Sequence, residues 1–233
     1  LLILVGARSA KAEGSWRGAA SLLGYAGLFS VAYLTLSTGT GALILFASVQ
    51  ITMIGWGLTR GERLSFVQSG GVFLAVAGLV WLLAPGLARP DPLAALMMIG
   101  SGVCWGAYSL LGRGAGRPTQ VTAGNFLRVT VLGLPLLGLW LAFAPAEPVS
   151  VSGIALAVAS GALTSGLGYA VWYRALKGLN ASRAGIVQLL VPPLAALGGI
   201  MILHEPLTVR FIGASAIILI GIALAIFRPV RSD

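Results

Sequence analysis

The stretch RGERLSFVQSGGVFLAVAGL (Arg60–Leu79) has a second version in LHEPLTVRFIGASAIILIGI (Leu203–Ile222). Glu62 and Glu205 correspond at an offset of 143 residues, as do Leu64 with Leu207, Gly70 with Gly213 and Gly78 with Gly221. Self-similarity at a fixed period marks a structural module used more than once. Upstream, Tyr33-x-x-Leu36 matches Tyr173-x-x-Leu176 at an offset of 140, so a three-residue gap is expected between the two matching blocks.

The chain around these blocks is strongly apolar. Of 233 residues, 15 are Lys or Arg and 6 are Asp or Glu, so 9% are charged, against about 25% in soluble globular domains. So few charges cannot cover a surface facing water. Soluble globular, disordered, fibrous and disulfide-rich classes are excluded, which leaves an all-α integral membrane protein. A spanning helix needs about 20 apolar residues. Gly18–Thr59 carries no charge and is interrupted midway by STGTG (Ser37–Gly41), which reads as two spans and a hairpin. Eight full spans are expected, at about 16–36, 41–59, 65–85, 92–112, 122–143, 151–173, 184–203 and 208–227. Segments such as AIILIGIALAI are apolar all round, whereas barrel strands alternate with period two.

The net charge of +9 reads as membrane orientation, not nucleic-acid binding, because the bases sit at helix ends. Alternating the loops gives one side 13 bases and the other only Arg89 and Arg210. The base-rich side is the cytoplasmic one, and it receives the C-terminus. The Glu62 loop then falls inside and the Glu205 loop outside, so the two copies are inverted. Inverted repeats characterise secondary transporters. Residues 1–91 read as the C-terminal part of a first repeat, 92–228 as a complete second repeat and 229–233 as a cytoplasmic tail. The opening LLILVGA (residues 1–7) reads as a severed helix end. About one and a half to two further spans are expected before it, by symmetry with the second repeat.

WGAYSLLGR (Trp105–Arg113), GYAVWYRAL (Gly168–Leu176) and VQLLVPPLAALGGIMILHEPLTVRFIGASAIILIG (Val187–Gly221) resemble the EamA-domain branch of the drug/metabolite transporter superfamily. The resemblance covers essentially the whole chain. It implies ten helices in two inverted five-helix repeats, placement in a bacterial inner membrane, and transport of small metabolites, often export of amino acids or related compounds. The family pattern of a Pro in the ninth span, followed by a Gly-Glu-like pair and Leu, is met here by Pro192, Pro193 and His204-Glu205-Pro206-Leu207. The first copy has Gly61-Glu62-Arg63-Leu64 but places Val49 and Gln50 opposite the prolines, so its helix is expected to be straighter.

Polar groups inside the membrane are costly and face a cavity or a partner, which makes the candidate site short. Asn125 and Arg128 lie three apart near the cytoplasmic start of their span. They read as substrate contacts or, for Arg128, as an anchor snorkelling to headgroups. Trp105 and Tyr108 are three apart in mid-span, and Gly102 and Gly106 on the same helix allow close helix contact. Those aromatics line a cavity or pack in the bundle. Tyr169 is a cavity candidate, whereas Trp172 and Tyr173 read as an interfacial belt. Gln50 and Gln188 occupy the matching helices of the two repeats, as cavity groups or as an interhelical bond. Pro192 and Pro193 break a helix ladder, and Gly198 and Gly199 add pliability, which suits a gate or hinge. Glu62 and Glu205 form a structural pair, each expected to start the span that follows it.

One Cys (Cys104) and one His (His204) cannot build a zinc shell or the usual nucleophilic dyads, and no GxSG or HExxH occurs. An intramembrane enzyme or a scaffold is therefore the weaker class, and no cofactor, metal or nucleic acid is expected. The partners expected are a small-molecule substrate and the lipid bilayer, with a homodimer left open. No Asp or Glu lies inside a visible span, so the expected mode is facilitated diffusion or exchange, unless a coupling group precedes Leu1. Zwitterionic or neutral metabolites fit better than cationic drugs, which favour an embedded acid, or nucleotide sugars, which favour several bases. Those two remain the alternatives.

Overall fold

The computed structural model describes residues 13–84, 89–143, 150–204 and 206–226. Glu205, the opening residues 1–12 and the tail 229–233 lie outside them. Every regular element among the described residues is helical: α1 (Trp16–Ala32), α2 (Thr38–Thr59), α3 (Phe66–Leu83), α4 (Pro92–Gly112), α5 (Pro118–Phe143), α6 (Val151–Val158), α7 (Gly168–Ala175), α8 (Ala181–Val187), α9 (Val191–Leu203) and α10 (Val209–Ile226). A π-helical stretch, Ala159–Leu167, joins α6 to α7, and a 3₁₀ turn, Gln188–Leu190, joins α8 to α9.

Among the described residues seven helical segments are long and apolar enough to cross a membrane, not the eight expected. The difference lies in the segment read as 16–36. Its helix α1 stops at Ala32 after 17 residues, and the chain then turns, with Leu34 N–H returning to Val31 and Thr35 N–H to Ala32. The other expected spans are present with bounds moved by a few residues, and 92–112 is met to the residue. Large apolar side chains such as Leu34, Phe73, Leu141, Phe143 and Met201 are exposed, far more than a water-facing surface carries.

Helix bounds repeat at 143 residues. Those of α10 (209 and 226) follow those of α3 (66 and 83) by that amount, α8 starts 143 after α2, and α7 ends 143 after α1. The N-caps keep the same register. Ser37 accepts from the Thr40 N–H and Asn180 from the Arg183 N–H. The three-residue gap expected from Tyr33 and Tyr173 is therefore not needed. Tyr33 sits in the turn after α1 and Tyr173 inside α7, so they do not correspond.

The chain forms two compact units, one of Leu1–Gly24 with Ala107–Leu179 and one of Tyr25–Gly106 with Asn180–Asp233. The second unit is built on α3 and α10. A Cβ on Gly71 would stand 2.6 Å from the Gly221 carbonyl, one on Gly221 2.5 Å from the Ala75 nitrogen, and one on Gly78 2.9 Å from Ile218. Small residues bring the two backbones together, as in membrane helix pairs. Gln68 donates to the Ala225 carbonyl (3.3 Å) at one end and Gly78 meets Ile218 further along, so the pair is antiparallel. The contact is also reciprocal. Shifting Gly78–Ile218 by 143 in opposite senses gives Gly221–Ala75, which is itself a contact. Leu43 and Phe46 of α2, and their counterparts Ile186 and Leu189, pack on this core.

The first unit packs α5 and α7 with the C-terminal end of α4. Tyr108 and Tyr173 are both fully buried there, their rings 4.8 Å apart, and the Tyr173 hydroxyl donates to the Tyr108 carbonyl at 2.8 Å. A belt position for Tyr173 is thereby overturned. It lies one helical turn from Tyr169 on the face turned toward α4, against Gly112, which leaves room for its ring. Trp172 is half-buried and donates to Ser109 Oγ at 3.0 Å.

Candidate functional site

The candidate residues fall into two groups, one in each unit. In the second unit, α2, α4 and the 3₁₀ turn after α8 bring together Gln50, Trp105 and Gln188. The helix α2 runs unbroken for 22 residues, as the absence of prolines at Val49 and Gln50 leads one to expect. Its Gln50 is 5% exposed and donates from Nε2 to the Gly185 carbonyl at 2.7 Å. The Gln50 Oε1 is buried and meets no donor among the described residues. Gly185 has no side chain to intrude: a Cβ there would lie 3.3 Å from that oxygen and 3.1 Å from Met53 Cβ.

Gln188, 4% exposed, accepts from Trp105 Nε1 and donates toward Met53 Sδ at 2.9 Å. The Trp105 ring lies 4.8 Å from that of Tyr25. α4 can bring Trp105 in because Gly102 and Gly106 press against Ser48 and Thr52 of α2, the close approach their spacing suggests. Gln188 also opens the 3₁₀ turn at which the span breaks. The prolines do not kink a continuous helix. They stand in the first turn of α9, where a missing N–H costs no internal bond. A Cβ on Gly198 would meet nothing within 4 Å, and Gly199 lies in the same helix.

The result is a small neutral set: two carboxamides, an indole N–H, a thioether and one unsatisfied acceptor. It carries no charge, so it suits hydrogen bonding to an uncharged or internally neutral solute. Spacing in the sequence pairs neither Met53 nor Tyr25 with the glutamines. Met53 lies one helical turn after Gln50, but a methionine in an apolar run is no signal by itself.

In the first unit, Tyr108, Asn125, Arg128 and Tyr169 gather at α4, α5 and α7. The Tyr169 ring lies 6.0 Å from those of Tyr108 and Phe126. Asn125 is 2% exposed, and its Oδ1 accepts the Ser15 N–H at 2.9 Å. Arg128 donates from one nitrogen to the Glu13 and Gly124 carbonyls, both at 2.9 Å, and its guanidinium lies 5.7 Å from the Trp16 ring. Both side chains thus hold the chain where it enters α1, and Arg128 is more than a snorkelling anchor.

Glu62 does not start its own following helix. Ser65 and Gln68 form a reciprocal cap on α3, while the Glu62 carboxylate accepts the N–H groups of Ala181 (2.8 Å) and Ser182 (3.0 Å) at the start of α8. His204 is exposed and ends α9 with a φ of +56°. Among the described residues no group of three His, Cys, Asp or Glu could hold a metal ion.

Residues 92–227 match the EamA-like transporter family. An uncharacterized protein of Pseudomonas aeruginosa is 52% identical over 213 residues, covering 91% of this chain and 73% of its own. An uncharacterized transporter of Archaeoglobus fulgidus is 27% identical, covering 82% of this chain and 68% of its own. The threonine/homoserine exporter RhtA of Salmonella typhimurium is 33% identical over 158 residues, covering 63% of this chain and 50% of its own. One solved crystal structure superimposes with a TM-score of 0.75 over 90% of this chain and 74% of that one, at 24% identity, a likeness of fold alone. With seven membrane-length helices among the described residues and a family model over more than half its length, the chain belongs to the EamA-like transporter family.

Proposed function

We infer that the protein is a secondary carrier that moves a small polar metabolite, an amino acid or a related zwitterionic or neutral compound, by alternating access between two inverted repeats. The observation that carries this reading is the 143-residue register, with its reciprocal contact between Gly78–Ile218 and Ala75–Gly221. Two copies of one module related by a two-fold axis make such a contact twice, and two inverted copies give two states of similar energy. The uncharged set around Gln50 and Gln188 supports an internally neutral cargo. The likeness to RhtA, a threonine/homoserine exporter, supports amino acids, although this chain covers half of that relative. The excess of bases on one side supports a cytoplasmic C-terminus in a bacterial inner membrane.

The test is counterflow in proteoliposomes holding the full-length protein, with labelled threonine and homoserine as first probes. The expected result is saturable uptake that unlabelled internal substrate accelerates, with the label recovered chemically unchanged. Uptake that never saturates for any amino acid, or a label recovered as a new compound, overturns the reading.

A further inference from the structure

α9 ends at Leu203 and α10 begins at Val209. Both belong to membrane-length segments, so the turn between them lies at a bilayer surface. A groove of about 410 Å³ opens beside that turn. Ile200, Ala196 and Pro192 line it along α9 at intervals of four residues, which places them on one helix face. Ile200 and Ala196 are half-buried, and Pro192, farthest from the turn, is buried. Leu82 and Leu83, at the C-terminal end of α3, add a second apolar wall. Thr208 and Arg210 stand at the turn and the start of α10, and both are exposed.

Polarity in the groove is therefore sorted by depth. Pro192 to Ile200 is a rise of about 12 Å, close to half of the roughly 30 Å hydrocarbon core. Water gains no partners along such walls, whereas one hydrocarbon chain of a single leaflet fills them. At the surface end the groups suit an anion. Among the described residues Glu13 pairs with Arg117, and no carboxylate pairs with Arg210. Thr208 Oγ1 accepts the Phe211 N–H at 3.1 Å, and the hydroxyl hydrogen remains to donate. A guanidinium and a hydroxyl donating side by side match the oxygens of a phosphate.

We propose that the groove binds one anionic phospholipid, with an acyl chain along α9 and the headgroup phosphate on Arg210 and Thr208. Basic sites between spanning helices select such headgroups. The site belongs to the second repeat alone. The 143-residue register puts Val67 in the place of Arg210, so the first repeat offers no base there. The corresponding face of α2 is occupied by protein, with Met53 0% exposed and set against Gly185. One lipid per chain is the consequence, and it links α3, α9 and α10 whatever cargo the protein moves.

The test uses the full-length protein in phosphatidylcholine vesicles with a trace of phosphatidylglycerol that carries a diazirine on one acyl chain. Phosphatidylcholine with the same chain is the comparison. After irradiation and digestion, mass spectrometry locates the label. Phosphatidylglycerol is expected to label residues 192–200 in preference to phosphatidylcholine, saturably and at no more than one lipid per chain. Arg210→Gln should lower that labelling about fivefold, the worth of one base at a headgroup. Arg89→Gln, which removes the other base assigned to that side, should leave it unchanged. Ala196→Phe should expel the chain and lower labelling from both lipids. Excess unlabelled phosphatidylglycerol should compete, and glycerol phosphate, a headgroup without chains, should not. Equal labelling by the two lipids, an equal loss with Arg89→Gln, or effective competition by glycerol phosphate overturns the site. So does the absence of label from α9, the result expected if a second copy or another helix fills the groove. Arg210 is exposed, so Arg210→Gln decides the matter even if Ala196→Phe fails to fold.

Discussion

Gln50 gives its amide hydrogen to the Gly185 carbonyl at 2.7 Å, while its own oxygen, equally buried, receives nothing among the described residues. A buried acceptor without a donor costs about 1–3 kcal/mol, so the oxygen is retained against a stability cost. Gln50→Met keeps the length of the side chain and removes both that acceptor and the donor to Gly185, whose carbonyl keeps the Gln188 backbone N–H. Under the carrier reading, KM for a cargo with hydrogen-bond donors should rise about fivefold, the loss of roughly one neutral hydrogen bond. The melting temperature should move little or upward. Counterflow at several substrate concentrations, together with a thermal melt in detergent, reads both. An unchanged KM would assign Gln50 to packing alone.

Trp105 should be less tolerant. Trp105→Phe keeps an aromatic ring near Tyr25 but strips the donor from Gln188 Oε1. That leaves a second orphaned amide oxygen beside the first, and a loss of about 1–3 kcal/mol in stability is expected. The double variant Trp105→Phe with Gln188→Leu should recover part of it, because removing both partners is cheaper than stranding one. Thermal melts of the three variants decide this, and equal melts for single and double variants would speak against the pairing.

Arg128 separates an anchor from a brace. An orientation anchor tolerates Lys, since only charge matters to the loop count. A guanidinium that joins the Glu13 and Gly124 carbonyls and lies over Trp16 does not, because an ammonium lacks the planar fork. Arg128→Lys should therefore lower stability by about 1–2 kcal/mol and speed proteolysis at residues 13–16. Wild-type cleavage rates would return the residue to the anchor role.

The glycines of α3 give a paired control. A Cβ on Gly71 would strike the Gly221 carbonyl, while one on the neighbouring Gly70 meets nothing within 4 Å. Gly71→Ala should cost about 1–3 kcal/mol by overpacking, and Gly70→Ala should be neutral or gain up to about 1 kcal/mol from helix propensity. Melting temperatures of the two purified variants check the contrast, and identical shifts would argue against the close crossing.

The sequence was most legible where one physical signal dominated. Apolar length placed seven of the eight expected spans among the described residues, and Gly102 and Gly106 announced a close helix approach that Ser48 and Thr52 complete. It was least legible where the answer depended on which helix lies next door. Glu62 reads as a helix-start carboxylate and is one, but of α8 and not of α3. Tyr173, at the end of its span, reads as a belt residue and is buried against Tyr108, because no local pattern reveals that α4 passes there. The Tyr33–Tyr173 match was a coincidence of composition, which only the helix ends could expose. Gln50 and Gln188 stand out because an amide in an apolar run is rare, whereas Met53 beside them does not, because a methionine there is unremarkable.

The prolines that restart α9 make the two halves unequal copies. Were both halves identical, exchanging their shapes would leave the energy unchanged, and the carrier would rest facing either compartment equally often. Pro192 and Pro193 keep the second half from the unbroken rod of the first, so under the alternating-access reading the exchange carries an energy difference and one orientation is preferred at rest. A near-symmetric carrier of that kind would draw its resting direction from the unlikeness of its two halves.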